Sequence, residues 1–573
     1  MPRSHLFSLR LGHALRETVK DTPYTKTRFA GDLAGGITVG IIAIPLSMAL
    51  AIASGVPPQY GLYTAIVAGF IIALTGGSRY SISGPTAAFV VILFPVAEKF
   101  GLGGLLIATF MSGIILLVLA FARLGRLIEY IPQSVTLGFT TGIGIVIGTL
   151  QLKDFLGLSM QYPESYIEKI QHLALALPNL DLATLAVGMA TLITLIFWKK
   201  ISTLPPHIPA LLVGVLVAWL LSWFGFEVDT IGSRFTYLLP DGSQGSGIPP
   251  FAPEFIWPWQ QLGPDHQPIG LSLGLIESLL PAAFSIAMLG AIESLLCAVV
   301  LDNITNTHHS ANSELLGQGI GNIIAPFFGG ITATAAIARS GANVRAGGNS
   351  PISAMIHSLV VLAGLLILAP FLAYLPMASM AAILLVVAWN IAELDKVIAF
   401  LKTAPKSDSL VLITCLSLTV LFDMVIAIGV GVVLAALMFM REISELTKFN
   451  NVSDSRKLIS QPLPEGWAVY KITGPLFFAA AERVFAELAQ TTQSNKGVVL
   501  YMDGVSLLDA GGLAALTKFL ASSRKHQTQV IISDLQFQPL KTIARAKLQP
   551  VENELKFTST LQEALELLSE TAC

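Results

Sequence analysis

The chain has 573 residues, of which 53% are hydrophobic and only 12% are charged, and its formal net charge is −2. A soluble domain carries about 25% charged residues, so the composition excludes an ordinary soluble protein, and the balanced charge argues against a nucleic-acid-binding protein. The three cysteines, Cys297, Cys415 and Cys573, lie too far apart for a metal-binding motif or a disulfide framework. We predict no cofactor and no metal site.

The first 440 residues form a series of apolar runs behind a basic N-terminal arm, residues 1–27. A transmembrane helix needs about 20 predominantly apolar residues, so residues 28–440 are predicted to be a membrane domain. Ten runs approach this length: 31–54, 60–75, 104–123, 135–155, 182–198, 208–224, 271–300, 350–368, 373–392 and 410–440. The last run contains Asp423 and is predicted to form two short helices, with Asp423 either capping a helix or taking part in transport. Three further stretches, 85–97, 315–328 and 335–346, are too short to cross alone, which gives fourteen elements.

The loop charges predict the orientation of these elements. In a fourteen-element topology, the lysines and arginines fall mostly on one side, which the positive-inside rule makes cytoplasmic. Both termini are then cytoplasmic, and the long acidic connection, residues 225–270, lies outside. The basic loop residues are Arg3, Arg10, Arg16, Lys20, Lys26, Arg28, Arg79, Arg123, Arg126, Lys199, Lys200, Arg339, Arg345, Lys402, Lys406 and Arg441.

Two short segments, residues 76–88 and 329–340, resemble each other. Each has a glycine pair, a stretch of small residues with alternating serine or threonine, and then a short helical run. Extended backbone at membrane depth is tolerated only when it is buried in protein or lines a cavity, and paired interrupted segments point to a site between inverted repeats. Two helix N-termini meeting there would form an anion site. The alternative is two loops whose glycines serve packing.

Glu293 lies deep in an apolar span, where an ionised carboxylate costs several kcal/mol. We therefore predict a functional role for it, against the alternative of a neutral glutamate that hydrogen-bonds to the backbone. Arg339 follows the start of the second short helix. We predict that it lends positive charge to the site; the alternative is that it points to the cytoplasm.

Beyond residue 440 the composition becomes that of a soluble α/β domain. Residues 441–454 are predicted to be a linker and residues 455–573 a cytoplasmic domain. Residues 498–503 have the pattern of a buried strand, and residues 508–513 open a helix. No nucleophile–base pair and no phosphate loop is present in the sequence, so we predict no enzymatic activity.

The membrane domain resembles the sulfate permease (SulP) family of anion transporters, in particular its bacterial C4-dicarboxylic acid carriers. The resemblance rests on motifs that occur in order along nearly the whole chain. They are AGGITVG at 34–40 with Ile44-Pro45, GVPPQYGLY at 55–63, IIALTGGSR at 71–79, SGPT at 83–86, the segment 281–302, and GQGIGN at 317–322.

The resemblance implies an α-helical polytopic membrane protein with fourteen transmembrane segments in a 7+7 inverted repeat, followed by a C-terminal α/β STAS domain. A core domain (elements 1–4 and 8–11) would carry substrate past a gate domain (elements 5–7 and 12–14) in a homodimer of the bacterial inner membrane. By position, the substrate site would comprise Pro45, Leu46, Ser47, Thr86, Ala87, Ala335, Ala336, Ile337, Ala338 and Arg339.

The resemblance also bears on coupling and on the soluble domain. Glu293 matches the acid of the family's eighth segment, and one turn further on stands Cys297, a poor ligand for sodium, which prefers oxygen donors. That favours a proton as the coupling ion. In STAS domains of signalling proteins a phosphorylatable serine occupies the turn before a helix, whereas the matching residue here, Ala510, has no hydroxyl. We therefore expect dimerisation or binding of a cytoplasmic partner rather than a phosphorylation switch.

Taken together, the sequence predicts proton-coupled uptake of a C4-dicarboxylate such as succinate, fumarate or aspartate. A different anion (bicarbonate, sulfate or chloride), coupling to sodium, a channel, and a membrane receptor that does not transport remain as alternatives.

Overall fold

The computed structural model describes residues 9–20, 23–125, 131–163, 165–202, 205–239, 243–265, 267–422, 424–459 and 461–571. The chain forms two compact units, Met1–Val432 and Val433–Cys573. Asp423 lies outside the described residues. Eight of the described helices are long and apolar enough to span a membrane on their own.

The first unit is almost entirely helical, because helices satisfy backbone hydrogen bonds within the segment and so suit an apolar surrounding. Its first half contains α1 (His13–Lys20), α2 (Lys26–Ala53), α3 (Pro58–Thr75), β1 (Ser83–Gly84), α4 (Val90–Phe121), α5 (Gln133–Leu156), α6 (Tyr166–Ala176), α7 (Leu182–Phe197) and α8 (His207–Trp223). The connection that follows contains α9 (Ile231–Arg234) and a hairpin of β2 (Thr236–Leu238) and β3 (Gln244–Ser246).

The second half contains α10 (Leu273–Thr305), α11 (Ala311–Ile324), β4 (Thr334–Ala335), α12 (Ile337–Arg345), α13 (Pro351–Leu372), α14 (Met377–Ala392), α15 (Leu394–Thr403), α16 (Lys406–Leu421) and α17 (Met424–Leu446). Each of the fourteen predicted elements has a helical counterpart among the described residues. The short helices α1, α6 and α15 were not predicted, because charged and apolar residues alternate on their surfaces and leave no long apolar run.

Helix packing repeats between the two halves. In the first half, α2 and α3 both pack on α13, and in the second half α10 and α11 both pack on α4. In the same way, α5 of the first half packs on α16, and α14 of the second half packs on α7. This correspondence is what an inverted repeat produces. It sorts the helices into a core group (α2, α3, α4, α10, α11, α12 and α13) and a gate group (α5, α7, α8, α14, α16 and α17).

Glycines set the contact between α2 and α13. A Cβ at Gly36 would lie 2.7 Å from Ile356 Cβ, and a Cβ at Gly40 would lie 2.7 Å from Val360 Cβ. Such separations essentially never occur between real side chains, so an added methyl group at either position would force a shift. The spacing of four residues puts both glycines on one face of the helix, which accounts for two of the three glycines in residues 34–40.

The second unit contains a five-stranded sheet in the order β5 (Lys448–Asn451), β6 (Trp467–Thr473), β7 (Gly497–Gly504), β8 (Gln529–Ser533) and β9 (Leu555–Thr558). Strands β6 to β9 are parallel, and β5 pairs antiparallel with β6. One face is covered by α18 (Phe478–Thr491), α19 (Ala510–Lys525) and α20 (Phe537–Arg545), and the other by α21 (Leu561–Thr571).

Two segments predicted to lie outside the domains are structured. Residues 441–454, predicted to be a linker, contain the end of α17 and the edge strand β5, whose alternating polar residues resemble a loop in sequence. Part of the predicted arm, residues 1–27, packs on α3: Gly12 N donates to Thr75 O at 2.8 Å, and Arg79 pairs with Glu17 at 3.1 Å.

Candidate functional site

The two short segments predicted to lie together are paired in the structure. Strands β1 and β4 form an antiparallel ladder in which Ser83 is opposite Ala335 and Gly84 is opposite Thr334. Ala336 N also donates to Ile82 O at 3.0 Å. All of these residues except Ala336 are buried, so extended backbone at this depth is satisfied within the protein, as a membrane requires.

A helix leaves each strand, and both helices begin at this ladder. The first begins as a 3-10 turn, Ala87–Phe89, which continues into α4; the second is α12. Thr86 and Ala336 precede them in extended conformation, and neither N-terminus has a side-chain cap. The first N–H groups of a helix lack internal partners and carry about half a positive charge. Both half-helices therefore present their N–H groups, and the positive ends of their dipoles, at the same ladder.

The first of these helices is short because α4 breaks at Gly101. Gly101 has φ +66°, a left-handed conformation that glycine adopts without strain. The helix therefore consists of two pieces that correspond to the predicted elements 85–97 and 104–123.

Helix α10 contacts both extended segments with adjacent side chains. Thr86 Oγ1 donates to Glu293 Oε2 at 3.0 Å. The hydroxyls of Ser294 and Thr334 are 2.6 Å apart, and Ala335 N donates to Ser294 Oγ at 3.4 Å. Glu293 is half-buried. The structure thus places Glu293 at the start of the first half-helix.

Arg339 bridges the two half-helices. It belongs to the first turn of α12 but reaches back to the other segment, where Nη2 donates to Pro85 O, and a Cβ at Gly84 would lie 2.9 Å from its Nη1. The side chain is only 3% exposed, and within the described residues its Nε and Nη1 have no hydrogen-bond partner. A buried donor without a partner is costly, so these N–H groups are available to a bound anion.

The remaining predicted residues are divided between buried and accessible positions. Ala87 and Ala335 are buried, Thr86 and Ala336 are half-buried, and Ile337 and Ala338 are exposed. In α2, Pro45 and Ser47 are buried and Leu46 is half-buried. Ser47 Oγ has no hydrogen-bond partner among the described residues. Among the described residues, no side-chain hydrogen bond joins these three α2 residues to Glu293 or Arg339.

Sequence reasoning missed several polar residues around the ladder. Ser294 and the α11 residues Glu314, Gln318 and Asn322 all hydrogen-bond to the extended segments. The spacing of four residues between the three α11 positions was the available signal, because it places them on one helical face. His357 in α13 is also fully buried, and neither ring nitrogen has a hydrogen-bond partner within the described ranges.

A cavity of about 500 Å³ lies where the core and gate groups meet. It is lined by Ile52 at the end of α2, Phe94 and Glu98 of α4, and Leu150 and Lys153 of α5. The 3-10 turn that starts the first half-helix also packs on α5 and α14 of the gate group. The ladder is therefore built by the core group, and the gate group covers the first half-helix start.

In the second unit, the turn before α19 is closed by Asp509. Its Oδ1 accepts from Gly512 N at 2.7 Å and its Oδ2 from Phe478 N at 3.1 Å. Ala510, the first residue of the helix, is exposed and carries only a methyl group. No group of three or more metal-binding side chains occurs among the described residues.

Comparison with family models gives two matches along the chain. The sulfate permease family matches residues 29–415, and the STAS domain matches residues 460–564. The chain is 37% identical over 529 residues to the putative sulfate transporter YvdB of Bacillus subtilis, covering 92% of this chain and 95% of that one. It is 30% identical to the bicarbonate transporter BicA of Picosynechococcus, covering 80% of each chain.

Solved structures show the same fold. The inward-facing state of the murine solute carrier 26 family member A9 anion transporter matches with a TM-score of 0.83 at 19% identity, over 100% of this chain and 95% of that one. The transmembrane domain of a cyanobacterial bicarbonate transporter BicA matches with a TM-score of 0.58 at 28% identity, over 71% of this chain and 97% of that one.

Proposed function

The chain belongs to the sulfate permease family of anion transporters, and from this premise we propose that it takes up C4-dicarboxylates together with protons. The anion would bind at the β1–β4 ladder, between the two half-helix N-termini. Arg339 carries this proposal, since a buried guanidinium whose Nε and Nη1 donors have no hydrogen-bond partner among the described residues favours an anionic ligand. A succinate, fumarate or aspartate molecule offers two carboxylates to the donors at the ladder.

Transport would follow from movement of the core group against the gate group. The ladder, both half-helices, Glu293 and Arg339 all belong to the core group, so they would travel as one body. The gate group packs within itself, with α5 on α14 and α16 and α7 on α8 and α14. Such rigid-body movement past a fixed partner is a general route to alternating access.

Glu293 would couple the anion to a proton. Its carboxylate accepts a hydrogen bond from Thr86, at the start of the first half-helix, and Arg339 contacts the preceding residue, Pro85. An ionised Glu293 would balance Arg339, and an arriving anion would leave excess negative charge. Protonation of Glu293 would offset one unit of that excess and so lower the cost of moving the loaded core group through an apolar region. Sodium is the alternative, but Cys297 contributes sulfur rather than oxygen one turn away.

Sulfate or bicarbonate is the second candidate substrate, favoured by the names of the relatives. The donors at the ladder are mostly backbone N–H groups, which accept many anions. We also propose a homodimer in the bacterial inner membrane, with both termini cytoplasmic, and a scaffolding role for the STAS domain in dimerisation or in binding a cytoplasmic partner.

Uptake into liposomes that contain the purified protein tests the proposal. Radiolabelled fumarate, succinate, sulfate and bicarbonate are compared with and without an inward proton gradient in sodium-free buffer, and with and without sodium at constant pH. We expect saturable fumarate or succinate uptake that the gradient accelerates. Uptake of sulfate or bicarbonate alone would contradict the proposed substrate. Uptake that requires sodium at constant pH would contradict the proton as coupling ion. Absence of saturable counterflow for all four anions would indicate a receptor rather than a transporter.

A further inference from the structure

Helix α11 carries a line of buried polar side chains, Glu314, Gln318 and Asn322, each about 1% exposed. They are four residues apart and therefore lie on one face of the helix. Burying polar groups costs free energy unless they are hydrogen-bonded. Their partners therefore show what this face of α11 does.

Glu314 holds the chain before β1. Its Oε2 accepts from the backbone N–H groups of Gly77 and Ser78, both at 2.9 Å. The approach is so close that a Cβ at Gly77 would lie 2.7 Å from Glu314 N, which explains one glycine of the pair. A carboxylate that accepts two adjacent backbone N–H groups fixes the direction of that loop.

Gln318 extends the same network into β1. Its Nε2 donates to Glu314 Oε1 at 3.0 Å and to Ser83 Oγ at 3.2 Å. Its Oε1 is buried and has no hydrogen-bond partner among the described residues. Gln318 thus joins the Glu314 carboxylate to the strand that pairs with the second segment.

Asn322 holds the chain before β4. Its Oδ1 accepts from Ala333 N at 2.8 Å, and its Nδ2 donates to Ala333 O at 2.9 Å. The amide thus pairs with both backbone groups of Ala333, as a neighbouring strand would. One helix therefore holds both extended segments, which are more than 240 residues apart in the chain.

We propose that Glu314, Gln318 and Asn322 are positioning residues for the anion site, which presupposes the site described under the proposed function. They fix the two extended segments to one rigid helix, so that the half-helix N-termini keep their separation while the core group moves. None of the three hydrogen-bonds to Glu293 or Arg339 in the described residues. Their effect on anion binding is therefore indirect.

Variants at Glu314 separate positioning from general stability. Glu314→Ala leaves the Gly77 and Ser78 N–H groups without an acceptor. Glu314→Gln keeps an acceptor for them, and its NH2 group can donate to the free Gln318 Oε1 after the Gln318 amide turns over. Thr191→Val is the matched control, because Thr191 and Ser379 form a buried hydrogen bond at 2.8 Å between two gate helices, and among the described residues neither side chain hydrogen-bonds to the ladder.

Two measurements on the full-length protein in detergent are needed: hydrogen–deuterium exchange, and binding of radiolabelled fumarate and sulfate. For Glu314→Ala we expect amide exchange to rise about 10-fold or more at residues 77–84 and also at residues 333–339, and anion affinity to fall about 10-fold. Glu314→Gln should resemble the wild type in both. Thr191→Val should lower the melting temperature without changing either.

Hydrogen–deuterium exchange and anion binding test two separate claims, and either claim can be contradicted without the other. Unchanged exchange at residues 333–339 in Glu314→Ala would overturn the linkage between the segments, whatever anion the protein binds. A loss of melting temperature with full anion affinity would show that the three residues only stabilise the fold. If the wild type binds neither anion, the proposed function fails, while the exchange pattern still decides whether α11 positions both segments.

Discussion

At the scale of single residues, the candidate site contains one cation and one acid that reach the same short stretch of backbone. Arg339 donates to Pro85 O and Glu293 accepts from Thr86, so the two charged groups flank the first half-helix start from different helices. Each charge reduces the cost of burying the other. An incoming anion adds negative charge to this balanced pair, and under the proposed function a proton on Glu293 would offset one unit of that charge.

Anion binding should depend on the planar guanidinium of Arg339 and not only on its positive charge. Arg339→Gln removes a charge-assisted donor, which is typically worth about 1.5–3 kcal/mol, so we expect the half-saturating anion concentration to rise about 10-fold or more. For Arg339→Lys we expect a half-saturating anion concentration between those of the wild type and Arg339→Gln, because one ammonium group cannot bond Pro85 O and the anion in the same planar geometry. Arg345→Gln is the matched control, since Arg345 is exposed in the last turn of the same helix. Equal effects of Arg339→Gln and Arg345→Gln on concentration-dependent uptake would contradict the assignment.

The carboxyl of Glu293 should be needed for coupling but not for binding. Glu293→Gln keeps an oxygen that can accept from Thr86 but cannot exchange a proton. We expect counterflow of the anion to persist while the acceleration by an inward proton gradient disappears. Glu277→Gln, an exposed position in the same helix, should keep the gradient response. Uptake by Glu293→Gln that still follows the proton gradient would remove this residue from the coupling mechanism.

At the scale of elements, the sequence predicted the features that depend only on residues close together in the chain. Apolar run length located the spans, and the glycine pairs at 76–77 and 329–330 marked the two interrupted segments. The ladder register, Ser83 opposite Ala335, and the Arg339 contact with Pro85 were not predictable, because they join residues about 250 positions apart. The polar face of α11 was overlooked although its four-residue spacing is visible in the sequence. Nothing in the sequence shows which groups of the two extended segments the fold brings to that face.

The close contact between α2 and α13 should be sensitive to a single methyl group. At Gly40 an added Cβ would lie 2.7 Å from Val360, so Gly40→Ala forces the helices apart, an overpacking change that typically costs about 1–3 kcal/mol. At Gly148 in α5 the nearest atom to an added Cβ would be 3.8 Å away. We therefore expect Gly40→Ala, but not Gly148→Ala, to lower the melting temperature in detergent. Similar melting temperatures for both variants would show that the α2–α13 interface relaxes freely.

At the scale of the whole molecule, the residues proposed for the anion site all belong to one of the two units. Arg339, Glu293, the ladder and the α11 side chains all lie within Met1–Val432. The second unit has its own sheet and its own buried clusters on both faces. At the start of α19, the exposed side chain of Ala510 is a methyl group and offers no hydroxyl for phosphorylation. The residues proposed for anion binding therefore all belong to the first unit, and the second unit has a separate core of its own.

Removing the STAS domain should therefore separate assembly from recognition. A chain that ends at Leu446 keeps α17 complete and omits the whole five-stranded sheet. We expect this variant to bind the same anion with an affinity within about 3-fold of the full chain, because no residue proposed for the site is lost. If the domain serves dimerisation, mass photometry should show a larger monomer fraction for the truncated protein at equal concentration. Ala510→Asp in the full chain is the control for a phosphorylation switch and should change neither quantity. A truncated protein that melts normally but no longer binds the anion would mean that the second unit completes the site.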